Sequence, residues 1–273
     1  MIGFLTFFVI PAVRGFYISL TDWDLMSDPT YVGLDNYRKL FQDDKFIHAL
    51  QVTLSYVLLN IPLQMMLALL IGVLLDRFIH GSHIRSLLIL PWLMPGVVVA
   101  LLFLWLLDPG LGIVNAMLTK IGLPSQGFLG SAQQALPSIA GINIWQYTGY
   151  TVLLVLAGLQ RIPADVYEAA VLDGASEWRI FRNITLPLLR PMLVFVLITS
   201  VVGSFQIFDT IAVTTEGGPA RATQVVYWYI YEYAFNRLKF GYAASAAFVL
   251  FLILAAISLV QMRLLRVHES DLS

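Results

Sequence analysis

The sequence has no cysteine and few charged residues. Without a thiol, the chain can form no disulfide, no thiolate metal site and no cysteine nucleophile. Charged residues make up 12% of its 273 residues, whereas soluble globular domains carry about 25%. This shortage excludes a soluble enzyme, and the apolar excess excludes a disordered linker. The formal net charge of -1 provides no basic surface for nucleic acid.

Motifs that carry chemistry are also missing. The chain contains no G-x-x-x-x-G-K-[ST] phosphate loop, no H-E-x-x-H and no G-x-S-x-G, so any ATP chemistry belongs to a partner chain. The spans hold no paired carboxylates and no nucleophile–base pair, which argues against a membrane-embedded enzyme. The four histidines are scattered and predict no metal site: His48, His80, His83 and His268.

Apolar residues are abundant instead, at 59% of the chain with a mean hydropathy of +0.79. A membrane-spanning helix needs about 20 mostly apolar residues, and six stretches qualify. They are long apolar runs rather than the alternating segments of about ten residues typical of barrel strands. The sequence therefore predicts an all-α integral membrane protein, one domain over residues 1–273. Its spans are Met1–Leu20, Leu50–Leu75, Ser86–Leu107, Leu136–Leu159, Met192–Val213 and Gly241–Val260.

The first stretch is interrupted by Pro11 and Arg14. A cleaved signal peptide is the alternative, but it would begin with basic residues and end at a small-residue cleavage site. We expect a first span with a short or missing cytoplasmic lead, in which Arg14 extends to the outer surface. The run Leu111–Leu118 is too short to span and predicts an interfacial helix.

Basic residues predict the orientation, because cytoplasmic loops are enriched in Lys and Arg. Segments 76–85, 161–190 and 263–273 together hold eight basic residues in a shorter length than the seven of the opposite side. We expect these three segments, and both termini, to be cytoplasmic.

The cytoplasmic segment 161–190 predicts two short helices joined by a turn. Pro163 can start the first helix, and Gly174 can stop it in the left-handed conformation. Ser176 can cap the second helix, which Pro187 and Pro191 are expected to break. Two alanines on one helical face would leave a shallow surface for another protein, the set being Val166, Ala169, Ala170 and Asp173. From the residues alone, a helix that merely connects two spans explains the segment equally well.

The same segment contains E-A-A-x3-G-x9-I-x-L-P, running from Glu168 to Pro187. Every fixed position and both gaps match the "EAA" loop, and the chain resembles ABC importer permeases. The resemblance implies the type I (MetI-like) permease architecture, in which this loop is a coupling helix that docks on a cytoplasmic ATPase subunit. The coupling residues it implies are Tyr167, Glu168, Ala169, Ala170, Asp173, Gly174 and Ala175.

Other segments resemble this family as well: Val32–Phe41 is similar to its first external loop and Leu90–Leu107 to its third span. Two segments are similar to its carbohydrate branch, Ala157–Ala170 and Thr215–Thr223, the last with its GGP-x3-T element. This branch is typified by the first permease of the maltose and glycerol-3-phosphate systems. The resemblance implies that Gly217, Gly218 and Pro219 face an external solute-binding protein. It also implies a second homologous permease, two ATPase subunits that bind the ATP and Mg²⁺, and a bacterial or archaeal cell membrane as the location.

Polar side chains inside spans are costly unless they face a cavity or a partner. They are dense in span four, at Asn143, Trp145, Gln146, Tyr147, Thr148 and Tyr150. Span five adds Ser200, Ser204, Gln206 and Asp209, and span two adds Asn60 and Gln64. Amides, hydroxyls and aromatic rings suit a polyol; hydrogen bonding between helices is the other explanation. The resemblance favours Gln146, Tyr147 and Tyr150 as sugar contacts, followed by Ser204 and Gln206, whereas Asn60 and Gln64 rest on burial alone.

Two functions follow. The first is a permease subunit of an ATP-driven importer that receives a carbohydrate from a solute-binding protein. The second is a self-sufficient secondary transporter or channel, which would need coupling carboxylates or an inverted repeat. The predicted spans contain one candidate coupling carboxylate, Asp209, and the sequence shows no internal repeat. No cation lies in spans two, four or five, which favours a neutral sugar over a phosphate ester.

Overall fold

The computed structural model describes residues 2–78 and 81–264. Met1, His80, Arg266, His268 and most of the predicted cytoplasmic tail lie outside the described residues. The helices are α1 (Ile2–Phe4), α2 (Ile10–Ser19), α3 (Asp35–Phe41), α4 (Asp44–Phe78), α5 (Ser82–Leu93), α6 (Gly96–Leu106), α7 (Ile113–Lys120), α8 (Ala135–Leu159), α9 (Ala164–Leu172), α10 (Glu177–Ile180), α11 (Leu186–Phe205), α12 (Asp209–Thr214), α13 (Val226–Tyr231) and α14 (Phe240–Leu264).

Short non-α elements complete the described chain. A two-stranded antiparallel ribbon joins β1 (Thr21–Asp22) to β2 (Thr30–Tyr31), with Thr21 opposite Tyr31. π-Helical turns occur at Leu5–Val9, Phe181–Thr185 and Glu232–Asn236, and a 3₁₀ turn at Phe128–Gly130. The short helix expected at Leu111–Leu118 forms at α7; its interfacial position stays a prediction.

Five described helices or helix runs are long and apolar enough to cross a membrane, and a bent pair raises the number to six. The predicted helical membrane architecture is confirmed. The first run, Ile2–Ser19, contains Arg14 without a break. Helix α4 covers the expected second span and extends past both of its ends.

The third span differs from the expected continuous helix. Helices α5 and α6 meet at an angle of 91°, because Pro95 pushes Met94 into an extended conformation. The carbonyl of Met94 accepts a hydrogen bond from Gln146 Nε2 at 3.2 Å. This contact matters because an unsatisfied backbone group at membrane depth is costly.

The fifth span begins earlier than expected, and the predicted break at Pro187 and Pro191 is wrong. Helical structure continues from Glu177 to Phe205 through the π-helical turn Phe181–Thr185. The turn ends just before Pro187, which therefore lies in the first turn of α11. A missing N–H group is tolerated in that position. The helix run instead breaks between Phe205 and Asp209, ahead of α12.

Helix α8 is the centre of the structure, packing against α4, α5 and α11. Its contact with α5 is backbone against backbone at Gly149. A Cβ atom on Gly149 would lie 1.7 Å from the carbonyl oxygen of Leu88, so no other residue fits without moving a helix. Buried apolar side chains of α4 and α8 fill the core on both sides of this crossing.

Helix α4 connects the two faces of the protein. It has 35 residues, which corresponds to roughly 50 Å at the helical rise of 1.5 Å. Near its end, Arg77 pairs with Glu177 of the segment 161–190. Just before its start, Asp43 binds Tyr229, Tyr233 and Tyr242. The segment carrying the EAA motif and the segment that follows α12 therefore lie at opposite ends of α4.

Candidate functional site

A polar cavity of about 310 Å³ lies among α4, α8, α11 and the bend between α5 and α6. Its volume is at the lower end of the range for small-molecule sites, about 300–1,000 Å³. Its lining residues lie near the middle of α4 and α8 and in the C-terminal half of α11.

All seven predicted path residues line this cavity, although they come from α4, α8 and the end of α11. They are Asn60, Gln64, Gln146, Tyr147, Tyr150, Ser204 and Gln206. Asn60 and Gln64 were predicted only from the rule that a buried polar group faces a cavity or a partner. The rule thus identified two lining residues that the family resemblance did not indicate. The structure places the seven together; contact with a substrate stays a prediction.

Several of these groups also hydrogen-bond between helices. Gln64 Nε2 donates to Thr151 Oγ1 at 2.8 Å, and Asn60 Nδ2 donates to Ser204 Oγ at 3.2 Å. Gln146 holds the bend of the third span, as described above. The two explanations of these polar side chains therefore apply to the same residues: they join helices and line the cavity at once.

Other polar groups of the cavity have no partner within the described chain. The side chains of Tyr147 and Gln206 are exposed to it and make no hydrogen bond there. Asn60 Oδ1 is buried without a hydrogen-bond donor. These free amide and hydroxyl groups can bind the hydroxyl groups of a polyol.

An aromatic platform forms part of the cavity wall. The rings of Trp92 and Tyr150 are stacked, with their centroids 4.6 Å apart and their planes at 10°. Such a surface suits the apolar C–H face of a sugar ring. Sequence reasoning did not select Trp92, because ordinary packing explains a tryptophan in an apolar span until the structure shows it stacked on Tyr150 of α8.

Asn143, Thr151 and Asp209 also line the cavity and were not selected. Asn143 Nδ2 donates to Thr210 Oγ1 at 3.3 Å. The Asp209 carboxylate packs over Gly96 at the start of α6. The available signal for these residues was the polar side chain within a span, the same signal that selected Asn60.

The segment with the EAA motif forms the predicted helix, turn and helix. Gly174 ends α9 with φ +72°, and the N–H groups of Gly174 and Ala175 bond the carbonyls of Val171 and Ala170. This is the Schellman arrangement at a helix C-terminus. Ser176 occupies the N-cap position of α10 but makes no capping hydrogen bond with its side chain. Tyr167 anchors the segment through Thr185 Oγ1 at 3.3 Å.

The predicted coupling residues do not form one accessible face. Glu168, Ala169, Asp173 and Gly174 are exposed, whereas Tyr167 and Ala175 are half-buried. Ala170 is buried against the chain itself, so the expectation that both alanines face a partner is wrong at this position. Its carbonyl closes the helix end instead. The exposed apolar side chains here belong to Val171 and Leu172, the latter 88% exposed.

At the opposite end of α4, the predicted GGP element is packed rather than protruding. Gly217 is buried beside the Trp228 ring, and Gly218 and Pro219 are half-buried. The exposed residues of this turn are Glu216, Ala220 and Arg221. The turn is held from within, because Thr223 Oγ1 donates to the carbonyl of Gly218 at 2.7 Å.

Three tyrosine hydroxyls converge on Asp43 at this end. Oδ2 of Asp43 accepts from Tyr229 at 2.7 Å and from Tyr233 and Tyr242 at 3.1 Å. Burial acts to raise the pKa of Asp43, but these bonds and one from the Lys45 N–H outweigh it and lower the pKa below its ordinary value. The carboxylate thus ties α13 and α14 to the start of α4.

Comparison with known proteins identifies a family. The family described as "Binding-protein-dependent transport system inner membrane component" matches residues 61–272. The trehalose/maltose transport system permease protein MalF of Thermococcus litoralis is 31% identical over 95% of this chain and 88% of its own. The sn-glycerol-3-phosphate transport system permease protein UgpA of Yersinia pseudotuberculosis is 32% identical over 94% of this chain and 88% of its own.

A solved structure has the same fold. It is the bacterial alginate ABC transporter in complex with an alginate pentasaccharide-bound periplasmic protein. The matching chain has a TM-score of 0.85 and 25% sequence identity, covering 96% of this chain and 89% of that one.

Proposed function

The chain belongs to the family of binding-protein-dependent transport system inner membrane components, and from this premise we propose which cargo and partners it has. It is a permease subunit of an ABC importer and not an enzyme, since it resembles permeases of this kind along nearly its whole length. The cargo is a carbohydrate. The observation that supports this cargo is the cavity between α4, α8 and α11, lined with amides, hydroxyls and a stacked Trp92–Tyr150 pair.

The lining favours a neutral sugar. Among the described residues that line the cavity there is no Lys or Arg, and the only carboxylate is Asp209. A phosphate ester or an acidic sugar would call for a cationic group. The cavity lining therefore suits a neutral sugar, such as the trehalose or maltose in the name of one relative. It suits the glycerol-3-phosphate in the name of the other relative less well.

We assign a second homologous permease as the partner that completes the passage. Support comes from side chains such as Tyr147 and Gln206, which face the cavity with free hydrogen-bonding groups. Large apolar side chains near them on the same helices, such as Trp145 and Phe195, are exposed as well. A partner with a similar helix face would cover both kinds of residue.

The coupling helix α9 would dock on one of two ATPase subunits, which bind ATP and Mg²⁺. Its exposed Glu168 and Leu172, and its rigid stop at Gly174, offer a defined shape to such a partner. ATP closes the ATPase dimer and opens the cavity outward; hydrolysis reverses the change. ATP can drive this cycle only through a higher affinity for the closed state.

The two ends of α4 are assigned to opposite sides of the membrane. We place α9 and Arg77 in the cytoplasm, because the segments near them are the denser in Lys and Arg. The GGP turn and Asp43 then face outward, toward a solute-binding protein. Both ends of the chain are placed on the cytoplasmic side of the cell membrane.

Gentle purification of the tagged chain from its native membrane, with mass spectrometry of the associated proteins, tests this function. We expect an ATPase subunit, a second permease and a solute-binding protein, and the last should carry the sugar. A chain that purifies as a homodimer, active in liposomes alone, would instead support a secondary transporter or channel.

A further inference from the structure

A second cavity, of about 340 Å³, opens between the N-terminal end of α4 and the GGP turn, Gly217–Pro219. Lys45 from the first turn of α4 forms one side. Glu216 and Arg221 from the turn form another, and Gln224 with Glu232 closes the floor. This cavity is separate from the polar passage, since the two share no lining residue.

The turn that walls this cavity is pre-organised. Ala220 and Arg221 have φ values of 49° and 63°, a conformation that costs a side-chain-bearing residue about 1–2 kcal/mol. Hydrogen bonds hold it there: Thr215 and Thr223 join their hydroxyls at 2.8 Å, and His48 Nε2 contacts the Arg221 carbonyl at 3.1 Å. Strain that the surroundings maintain in this way is common at binding sites.

Two cations of the cavity are left without an ion pair. Arg237 binds Glu232 at 2.6 Å, so those charges offset each other. Among the described residues, neither Lys45 nor Arg221 has a carboxylate within salt-bridge distance. The one remaining charge of the cavity is the exposed Glu216. The unpaired groups therefore leave an excess of positive charge.

The floor of the cavity also has a buried acceptor that no donor reaches. Gln224 is 5% exposed, and its Oε1 atom has no hydrogen-bond partner. Its Nε2 atom donates to Glu232 at 3.1 Å, so a flipped amide would set its carbonyl against a carboxylate. The orientation is thus fixed, and Oε1 calls for an N–H or O–H group from outside.

We propose that this cavity receives a loop of the solute-binding protein, with an acidic side chain between Lys45 and Arg221 and a backbone N–H group on Gln224. A peptide loop fits because it provides both a carboxylate and an N–H donor, whereas sulfate or a lone carboxylate provides no donor. A rigid cavity lowers the ordering cost of such docking. The inference rests on the proposed function, since it needs a solute-binding protein.

The test uses the complete importer in nanodiscs, titrated with its own sugar-loaded binding protein while ATPase activity is measured. For the double variant Lys45→Glu/Arg221→Glu we expect at least a tenfold higher half-saturating concentration, with the maximal rate retained. Gln224→Met should raise it about threefold. The control Lys120→Glu reverses one charge, half the change of the double variant, on an exposed residue of α7 outside the cavity, and should match the wild type.

The outcomes separate the two proposals. If no binding protein stimulates the wild-type complex, the proposed function fails. If the wild type is stimulated and the double variant has the same half-saturating concentration, or loses only its maximal rate, the docking inference is overturned. Should the double variant assemble poorly, Arg221→Gln alters one exposed side chain, and its shift of three- to tenfold serves as the test.

Discussion

Gln64 of α4 donates a 2.8 Å hydrogen bond to the hydroxyl of Thr151 in α8, at the wall of the polar cavity. Hydrogen bonds of this kind between membrane helices contribute only about 0.6–2 kcal/mol each. The bond fixes the distance between the two helices at the level where the cargo would pass. Residues that determine the packing of the spans therefore also determine the width of the passage.

The stacked pair of Trp92 and Tyr150 leads to a prediction about cargo. We expect Tyr150→Ala and Trp92→Ala to reduce sugar uptake about tenfold, the equivalent of about 1.4 kcal/mol. Tyr150→Phe keeps the ring that stacks on Trp92 and should lose less uptake than Tyr150→Ala, because only the hydroxyl, which makes no hydrogen bond within the described chain, is removed. Uptake of radiolabelled sugar by proteoliposomes with saturating binding protein measures both. Normal uptake by Tyr150→Ala would remove this ring from the path.

The contact of Gly149 with Leu88 leads to a prediction about stability. A methyl group at Gly149 would push α5 away from α8, and such overpacking costs about 1–3 kcal/mol. Gly141 lies in the same helix with open space around its Cβ position, so Gly141→Ala should be neutral or slightly stabilising. Size-exclusion chromatography after heating in detergent compares the two variants. Equal melting temperatures would show that the helices do not meet this closely.

Gly174 leads to a prediction about coupling to the ATPase, and Gly122 provides the matched control position. Both have positive φ, 72° and 82°, and open space around the Cβ position. Valine should therefore strain the backbone equally at both, by about 1–2 kcal/mol. We expect Gly174→Val to abolish ATP-driven uptake and Gly122→Val to preserve it. Equal uptake by the two variants at equal membrane abundance would rule out a coupling role for this helix end.

The absence of cysteine makes the orientation directly measurable. Single cysteines at Leu111 and Leu172, which are 85% and 88% exposed, can be labelled with a membrane-impermeant maleimide. We expect Leu111→Cys to react in spheroplasts. Leu172→Cys should react only in inside-out vesicles from cells that express the chain without its ATPase partner, which would otherwise cover this residue. The reversed pattern would invert the assignment of the cytoplasmic face.

The helical architecture and the cavity residues were predictable because both depend on simple rules of the bilayer. Long apolar runs must be helices there, and a costly polar group such as Asn60 needs a cavity or a partner. The helix stop at Gly174 was predictable too, since glycine at a C-terminus has one main conformational use. In each case a local feature of the sequence determines the structure.

Features that depend on distant contacts were not predictable. The bend at Pro95 is tolerated because Gln146, far along the chain, satisfies the carbonyl of Met94. Trp92 reaches the cavity because α5, which precedes the bend, packs against α8. The burial of Ala170 depends on how α9 packs against other parts of the chain. Pro187 is accommodated in a continuous helix because a π-helical turn precedes it.

Helix α8 also bears on how the protein enters the membrane. It has the lowest mean hydropathy of the described span candidates and is the most enclosed, with 61% of its apolar window buried. A translocon that releases segments by their preference for lipid would retain such a helix. We therefore expect α8 to leave the translocon only when α4 is already beside it, so that Gln64 can meet Thr151. The order of synthesis, with α4 first, supplies that partner in time.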